Sequence, residues 1–140
     1  MTTLALLVAT VFALLALLHL HWACGGNMGW TAAIPEVRGR PAFVPGVGVT
    51  LLVAAALASC AALVLAAAGL VATPFPSRLL QIAMDVLGLV FLLRAYGDFR
   101  LVGFTKRVRD TRFARMDTLL YSPLCLALAV AVVGIAAGIG

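Results

Sequence analysis

Residues 94–123, RAYGDFRLVGFTKRVRDTRFARMDTLLYSP, decide how the rest of the chain folds. This stretch contains seven of the ten Lys and Arg residues and three of the five acidic residues. Long apolar segments flank it on both sides, so it begins and ends within apolar helices. The pattern predicts a polar hairpin that returns the chain towards a membrane.

The composition of the whole chain is typical of a membrane protein. Of its 140 residues, 64% are hydrophobic and 11% are charged, and the mean hydropathy is +1.16. A soluble domain is about 45–50% apolar and about 25% charged. The net charge of +5 does not indicate nucleic-acid binding, because the basic residues lie in short loops beside apolar segments. Membrane lipids are therefore the expected partners of these loops.

Four apolar segments are each long enough to cross a bilayer, for which a helix needs about 20 residues. The first is interpreted as a retained span rather than a signal peptide, because no Lys or Arg precedes Arg38. Pro123 lies inside the fourth segment and predicts a kink there. The predicted spans are residues 3–22, 46–72, 78–97 and 117–139.

Short connections between these spans predict an all-α integral membrane protein, a four-helix antiparallel transmembrane bundle that forms one domain over residues 1–140. The first connection, residues 23–45, is rich in Gly and Pro but also apolar, so we expect it to fold back onto the bundle. Both basic loops lie on one side. The positive-inside rule places them in the cytoplasm of a bacterial inner membrane, with both termini outside.

Antiparallel spans place polar residues at matching depths. His19, Thr50, Arg94 and Tyr121 each lie within about one turn of the loop-side boundary at ~1.5 Å per residue. Arg94 and Asp98 are four residues apart on one predicted helix, where they are expected to pair. We expect His19, Arg94 and Tyr121 to converge on one cavity, capped by Trp22 and the first loop.

The sequence therefore predicts a pocket with two kinds of residue. The candidate catalytic residues are His19, Tyr121 and Asp98, and the candidate ligand-binding residues are Trp22, Arg94 and Asp117. The same residue types are also common at ordinary membrane boundaries, so a hydrogen-bonded network with a purely structural role stays open as the alternative. The charges from Lys106 to Arg115 are interpreted as a surface patch that touches anionic lipid.

Asp85 is the acidic residue predicted within a span. An ionised carboxylate at mid-membrane costs ~2.5–3.5 kcal/mol even on lenient insertion scales. We therefore expect Asp85 to face the bundle interior, either as a hydrogen-bonded staple between helices or as a proton carrier or ligand anchor. No metal site is predicted, because His19 and His21 point about 200° apart on a helix and no zinc-type spacing occurs. No cofactor is predicted.

Three ordered motifs carry a family resemblance. They are His19-Leu-His-Trp-Ala-Cys-Gly-Gly26 with Ala33-Ile-Pro35, Leu93-Arg-Ala-Tyr-Gly-Asp-Phe-Arg100 with Val102-Gly-Phe-Thr-Lys106, and Asp117-Thr-Leu-Leu-Tyr-Ser-Pro-Leu-Cys125. The chain resembles, nearly end to end, a bacterial family of small four-span membrane proteins catalogued as domain of unknown function 3995. The resemblance implies a four-helix membrane protein and no particular activity. His19, not His21, holds the family's histidine position, and Asp85 lies outside the motifs.

Three functions stay open at this point. The first is binding or processing of a lipid, quinone or isoprenoid in the loop-side pocket, whether or not the protein is an enzyme. The second is a non-enzymatic accessory or stabilising subunit of a larger membrane complex. The third is a small transporter, for which the spans are very apolar unless the protein oligomerises.

Overall fold

The computed structural model describes residues 1–139, most of which lie in four long apolar helices. The elements in chain order are α1 (Thr2–Ala23), α2 (Trp30–Ala33), β1 (Glu36–Val37), β2 (Arg40–Pro41), α3 (Val47–Ala67), α4 (Ser77–Tyr96), α5 (Arg112–Met116), a π-helical turn (Asp117–Tyr121) and α6 (Ser122–Ala136). The last three join into one helical segment. Each of the four long segments is long and apolar enough to cross a membrane, which confirms the predicted all-α four-span fold.

Glycines end the first two spans. At the C-terminal end of α3, Leu70 N–H donates to the Leu65 carbonyl and Gly69 N–H donates to the Ala66 carbonyl. This is the Schellman arrangement. Gly69 adopts the left-handed φ of 71° that this stop requires. The second span therefore ends at Ala67, five residues before the predicted end, because a glycine stops it ahead of the prolines.

The centre of the bundle is apolar and the outside is apolar as well. Phe12, Val64, Met84 and Val132 come from four different spans and are fully buried together. Many leucines and valines on the outside remain exposed, Leu52 and Val130 among them. In a membrane this outer surface contacts acyl chains, so the pattern fits a bilayer rather than water.

The third and fourth spans pack in close contact and run in opposite directions. A Cβ placed on Gly88 in α4 would lie only 2.6 Å from Val133 Cγ2 in α6. Further along α4, Arg94 bonds to Asp117, so rising numbers on α4 meet falling numbers on the fourth span. The glycine allows the backbones to approach, as small residues do in membrane helix pairs.

The first loop folds back onto the bundle, as predicted. Its strands β1 and β2 pair antiparallel, and Ala32 and Ile34 are buried. The Tyr121 hydroxyl donates to the Ala32 carbonyl at 3.1 Å, and Arg112 bonds to Thr31 at 3.5 Å. Both basic loops therefore meet at the same end of the bundle.

Candidate functional site

The fourth span changes its hydrogen-bond pattern directly before Pro123. Proline offers no N–H, and its ring clashes with the carbonyl four residues earlier. The π-helical turn lies there, and Ser122 N–H bonds to the Asp117 carbonyl. The Ser122 hydroxyl also donates to the Asp117 carboxylate at 3.1 Å. In a regular α-helix, side chains five residues apart point about 140° apart, so the wider turn brings this pair together.

Asp117 is the centre of a buried ionic cluster. Its side chain is 0% exposed, and one carboxylate oxygen accepts from Arg94 Nη2 at 2.9 Å. The other accepts from the Gly103 N–H at 2.8 Å, from Lys106 Nζ at 2.9 Å and from the Ser122 hydroxyl. Both oxygens are thus satisfied, and the third span, the second loop and the fourth span are joined at one carboxylate.

Lys106 enters this cluster from the second loop. It is only 2% exposed, and its ammonium donates to Asp117, to the Gly103 carbonyl at 2.9 Å and to the Thr118 hydroxyl at 2.7 Å. All three donors of the ammonium have acceptors. The assignment of Lys106 to a lipid-facing surface patch was therefore wrong.

A signal for this residue was present in the sequence. Lys106 is the only lysine of the chain, beside nine arginines. A compact ammonium fits where three acceptors converge on a point, whereas a planar guanidinium needs a wider, flat arrangement. The lone lysine therefore marked a position with a specific geometric demand.

The second loop begins with a tight crossing of two glycines. Gly97 and Gly103 have φ values of 105° and 83°, and a Cβ on either would clash with the backbone of the other segment. Beyond the crossing, Phe104 N–H bonds to the Ala95 carbonyl and Thr105 N–H to the Tyr96 carbonyl. The loop thus caps the end of α4 and directs Lys106 inwards.

Asp98 organises this loop instead of pairing with Arg94. It accepts the N–H groups of Arg100, Leu101 and Val102 at 2.9, 2.7 and 3.0 Å. Slight burial raises the pKa of Asp98, but the bonds from Val102, Arg100 and Leu101 lower it further, so the net pKa lies below its ordinary value. The predicted Arg94–Asp98 pair is wrong because α4 ends at Tyr96, before a shared helix face is formed.

The cluster carries one more positive charge than negative, from Arg94 and Lys106 against Asp117. Arg94 remains 33% exposed, yet its Nη1 atom is buried and has no partner among the described residues. Arg94 therefore keeps unused hydrogen-bonding capacity beside the cluster.

A separate pocket lies at the loop ends of α1 and α3, with a volume of about 350 Å³. His19 and Trp22 from α1 form part of its wall, with Thr50 from α3. The rest is apolar or aromatic and includes Trp30, Ala33, Ile34, Phe43, Pro45, Val49 and Val53. The rings of His19 and Trp22 meet edge to face at 4.9 Å, and those of Trp22 and Trp30 at 5.6 Å. Pockets for small molecules commonly have this size and apolar character.

Two polar side chains of this pocket have defined hydrogen-bonding states. His19 Nδ1 lies 2.8 Å from the Leu15 carbonyl, which only accepts, so Nδ1 carries a proton. In the neutral ring Nε2 is then an acceptor, and no described residue bonds to it. The Thr50 hydroxyl donates to the Gly46 carbonyl at 3.0 Å, so its oxygen retains capacity to accept.

The predicted site residues therefore fall into separate places. His19 and Trp22 line the aromatic pocket, whereas Arg94 and Asp117 form the ionic cluster. Tyr121 ties the fourth span to the first loop, and Asp98 holds the second loop. The prediction that His19, Arg94 and Tyr121 share one cavity is wrong, because Asp117 and the Ala32 carbonyl draw the latter two side chains elsewhere.

Asp85 does not face the bundle interior. Its side chain is exposed on the outside of α4, beside the buried Met84. No hydrogen bond or ion pair to Asp85 occurs within residues 1–139. The interior prediction fails because Leu80, Met84 and Gly88 occupy the inner face of α4, which turns position 85 outwards.

Four spans with a lipid-compatible surface and a loop held by buried ions define a small multi-pass membrane protein. The chain belongs to the family described as "Protein of unknown function (DUF3995)", which matches residues 12–132. This match confirms the resemblance, and all three motifs fall inside it. No curated protein and no solved structure matches the chain.

Proposed function

We propose that the protein binds the head of an amphipathic membrane molecule, a lipid, quinone or isoprenoid, in the aromatic pocket. The pocket itself, about 350 Å³ and lined by His19 and two tryptophans, carries this proposal. Phe43 and Val49 in its wall are 56% and 59% exposed, so it borders the surface that acyl chains contact. A guest thus reaches it sideways from the bilayer.

The hydrogen-bonding groups of the pocket wall limit the class of guest molecule that the pocket favours. With Nδ1 donating to the Leu15 carbonyl, the neutral form of the ring presents Nε2 as an acceptor, which favours a guest that brings an O–H group, such as a quinol or an isoprenoid alcohol. Trp22 donates its indole N–H to the Met28 carbonyl at 2.7 Å. Because this donor is engaged, Trp22 offers a guest the aromatic surface of its ring. Binding is favoured over catalysis, because Tyr121 and Asp98 are engaged elsewhere and His19 alone of the three candidate catalytic residues lines the pocket.

Intrinsic fluorescence tests the proposal directly, since the only two tryptophans of the chain, Trp22 and Trp30, both line the pocket. Decylubiquinol and geranylgeraniol are titrated into purified protein in nanodiscs. We expect saturable fluorescence changes, with affinity five- to tenfold weaker in His19→Phe, as for one lost hydrogen bond of about 1 kcal/mol.

His21→Phe is the matched control, because His21 is exposed and lies outside the pocket. This variant should bind as the wild type does. Unsaturable quenching that is equal in both histidine variants would mean simple partition into the bilayer and would refute the proposal. Decylubiquinone, which lacks the O–H, should bind more weakly than the quinol.

We further propose a bacterial cytoplasmic membrane as the location, with the basic loops in the cytoplasm and both termini outside. The support is the arginine distribution: Arg38 and Arg40 of the first loop and five further arginines of the second loop and α5 lie at one end. At the other end the helix ends carry only Arg78. Lys and Arg are retained on the cytoplasmic side during insertion.

A further inference from the structure

The third span presents polar side chains without partners to its surroundings. Asp85 is exposed and Gln81, one turn earlier, is half-buried. Neither side chain makes a hydrogen bond within residues 1–139, and the same holds for Arg78 at the beginning of α4. Spacings of three and four residues place all three on one side of the helix.

This polar side reaches deep into the membrane. Asp85 is eight residues after Ser77, or about 12 Å along the helix, and therefore near the middle of the span. Carboxylates facing hydrocarbon are costly and are almost always paired or turned towards protein. Along α4 the flanking cations, Arg78 and Arg94, are seven and nine residues away, and neither forms an ion pair with Asp85 within residues 1–139.

We propose that a second copy of this chain covers this side of α4 in the membrane, with Gln81 of each copy donating to Asp85 of the other. Both copies share one membrane orientation, so a two-fold axis along the bilayer normal relates them. In such an interface residue i contacts j and j contacts i. The two residues are four positions apart, which separates them by about 6 Å in depth, and the long glutamine side chain spans this distance.

The chemistry of the two side chains is self-complementary. A carboxamide supplies two N–H donors and a carboxylate accepts several, and glutamine hydrogen bonds are a recurrent means of joining membrane helices. The flanking side chains suit packing between helices: Ile82, Leu89 and Leu92 are 51%, 53% and 47% exposed. A different protein with a basic residue at this depth is the rival occupant.

Disulfide cross-linking in the full-length protein tests which side of the bundle is covered. Cys24, Cys60 and Cys125 are first replaced by Ser or Ala. Leu92→Cys then places a thiol seven residues after Asp85 on the same side of α4, and Val130→Cys, 66% exposed on α6, is the control. We expect oxidation in dilute liposomes to cross-link the Leu92→Cys protein into dimers and to leave the control monomeric.

The role of Asp85 is measured by fluorescence energy transfer between labelled copies in liposomes. Loss of two symmetric hydrogen bonds in Asp85→Leu should weaken dimerisation roughly ten- to thirtyfold. Asp85→Asn, which keeps an acceptor, and Val86→Leu on the neighbouring position should stay within about threefold. If Asp85→Leu does not fold, the cross-linking result with native Asp85 still decides.

Three outcomes overturn the proposal. The first is a monomeric protein at every density, the second is equal cross-linking from both faces, and the third is a dimer that Asp85→Leu leaves unchanged. A protein that is monomeric alone but cross-links through Leu92→Cys to a different protein would assign this side of α4 to the rival occupant.

Discussion

At the scale of single residues, Lys106 shows how an apparent surface charge becomes part of the interior. Its ammonium is fully bonded and buried against Asp117. Such a pair adds little net stability compared with an apolar substitute, but removal of one partner leaves a buried charge uncompensated. Here Arg94 remains as a second counter-ion, so the carboxylate is never wholly unpaired.

The first prediction follows from this geometry. Lys106→Met keeps the length of the side chain but leaves the Thr118 hydroxyl, the Gly103 carbonyl and one oxygen of Asp117 without their shared donor. Because Arg94 still neutralises Asp117, the cost is that of buried acceptors losing a donor, and we expect the free energy of unfolding to fall by about 2 kcal/mol, measured by denaturant titration of the purified protein in detergent micelles. Arg100→Met, at an exposed position in the same loop, should change it by less than about 0.5 kcal/mol. Equal effects of both variants would contradict the role of Lys106.

At the scale of elements, the second loop is a folded unit and not a free tether. Asp98 satisfies three of its N–H groups, two glycines allow its backbone to cross, and Lys106 anchors it to the fourth span. The loop thereby fixes the distance between α4 and the π-helical turn.

The second prediction concerns pH. The pKa of Asp98 is lower in the folded protein than in the unfolded chain, so its stabilisation is fully present above the unfolded pKa of about 3.9. It is lost as pH falls from there through the folded pKa. We expect the stability difference between wild type and Asp98→Asn to be constant from pH 7 to about pH 5 and to shrink below about pH 4. A difference that stays unchanged down to about pH 3 would show that the ionised carboxylate of Asp98 does not stabilise the loop.

The sequence predicts the spans well but predicts the contacts of the loops poorly. Apolar runs of about 20 residues leave few alternatives to membrane helices. The predicted spans agree with the four long helices to within about three residues, except that α3 ends five residues early at Ala67 and the last helical segment begins five residues early at Arg112. The loop contacts depend on left-handed glycines and a π-helical turn, neither of which has a periodic signature. A periodic argument therefore paired Arg94 with Asp98, where the backbone geometry pairs it with Asp117.

The same distinction holds for the site. Helix depth correctly put His19 and Trp22 near the first loop, because depth follows from a rise of ~1.5 Å per residue. Depth says nothing about the direction around each helix, which decides whether residues at one level meet. The prediction for Asp85 was wrong for that reason. Its depth follows from the sequence, but the direction of its side chain depends on which neighbours α4 packs against.

At the scale of the whole molecule, burial of Lys106 and pairing of Arg94 leave the other arginines as the exposed basic side chains. Seven of them lie in the two loops and α5, which meet at one end, at positions 38, 40, 100, 107, 109, 112 and 115. Because exposed charge near span ends opposes translocation, this end should stay in the cytoplasm whatever the pocket binds.

The third prediction is that a fusion after Gly140 places alkaline phosphatase outside, where it is active, and leaves green fluorescent protein dark. Fusions within the first loop, at Gly39, should show the opposite pattern, and fusions at Phe75, between α3 and α4, should match Gly140. Bright green fluorescence at Gly140 and Phe75 with none at Gly39 would invert the topology, and it would place the aromatic pocket at the outer leaflet instead of the inner one.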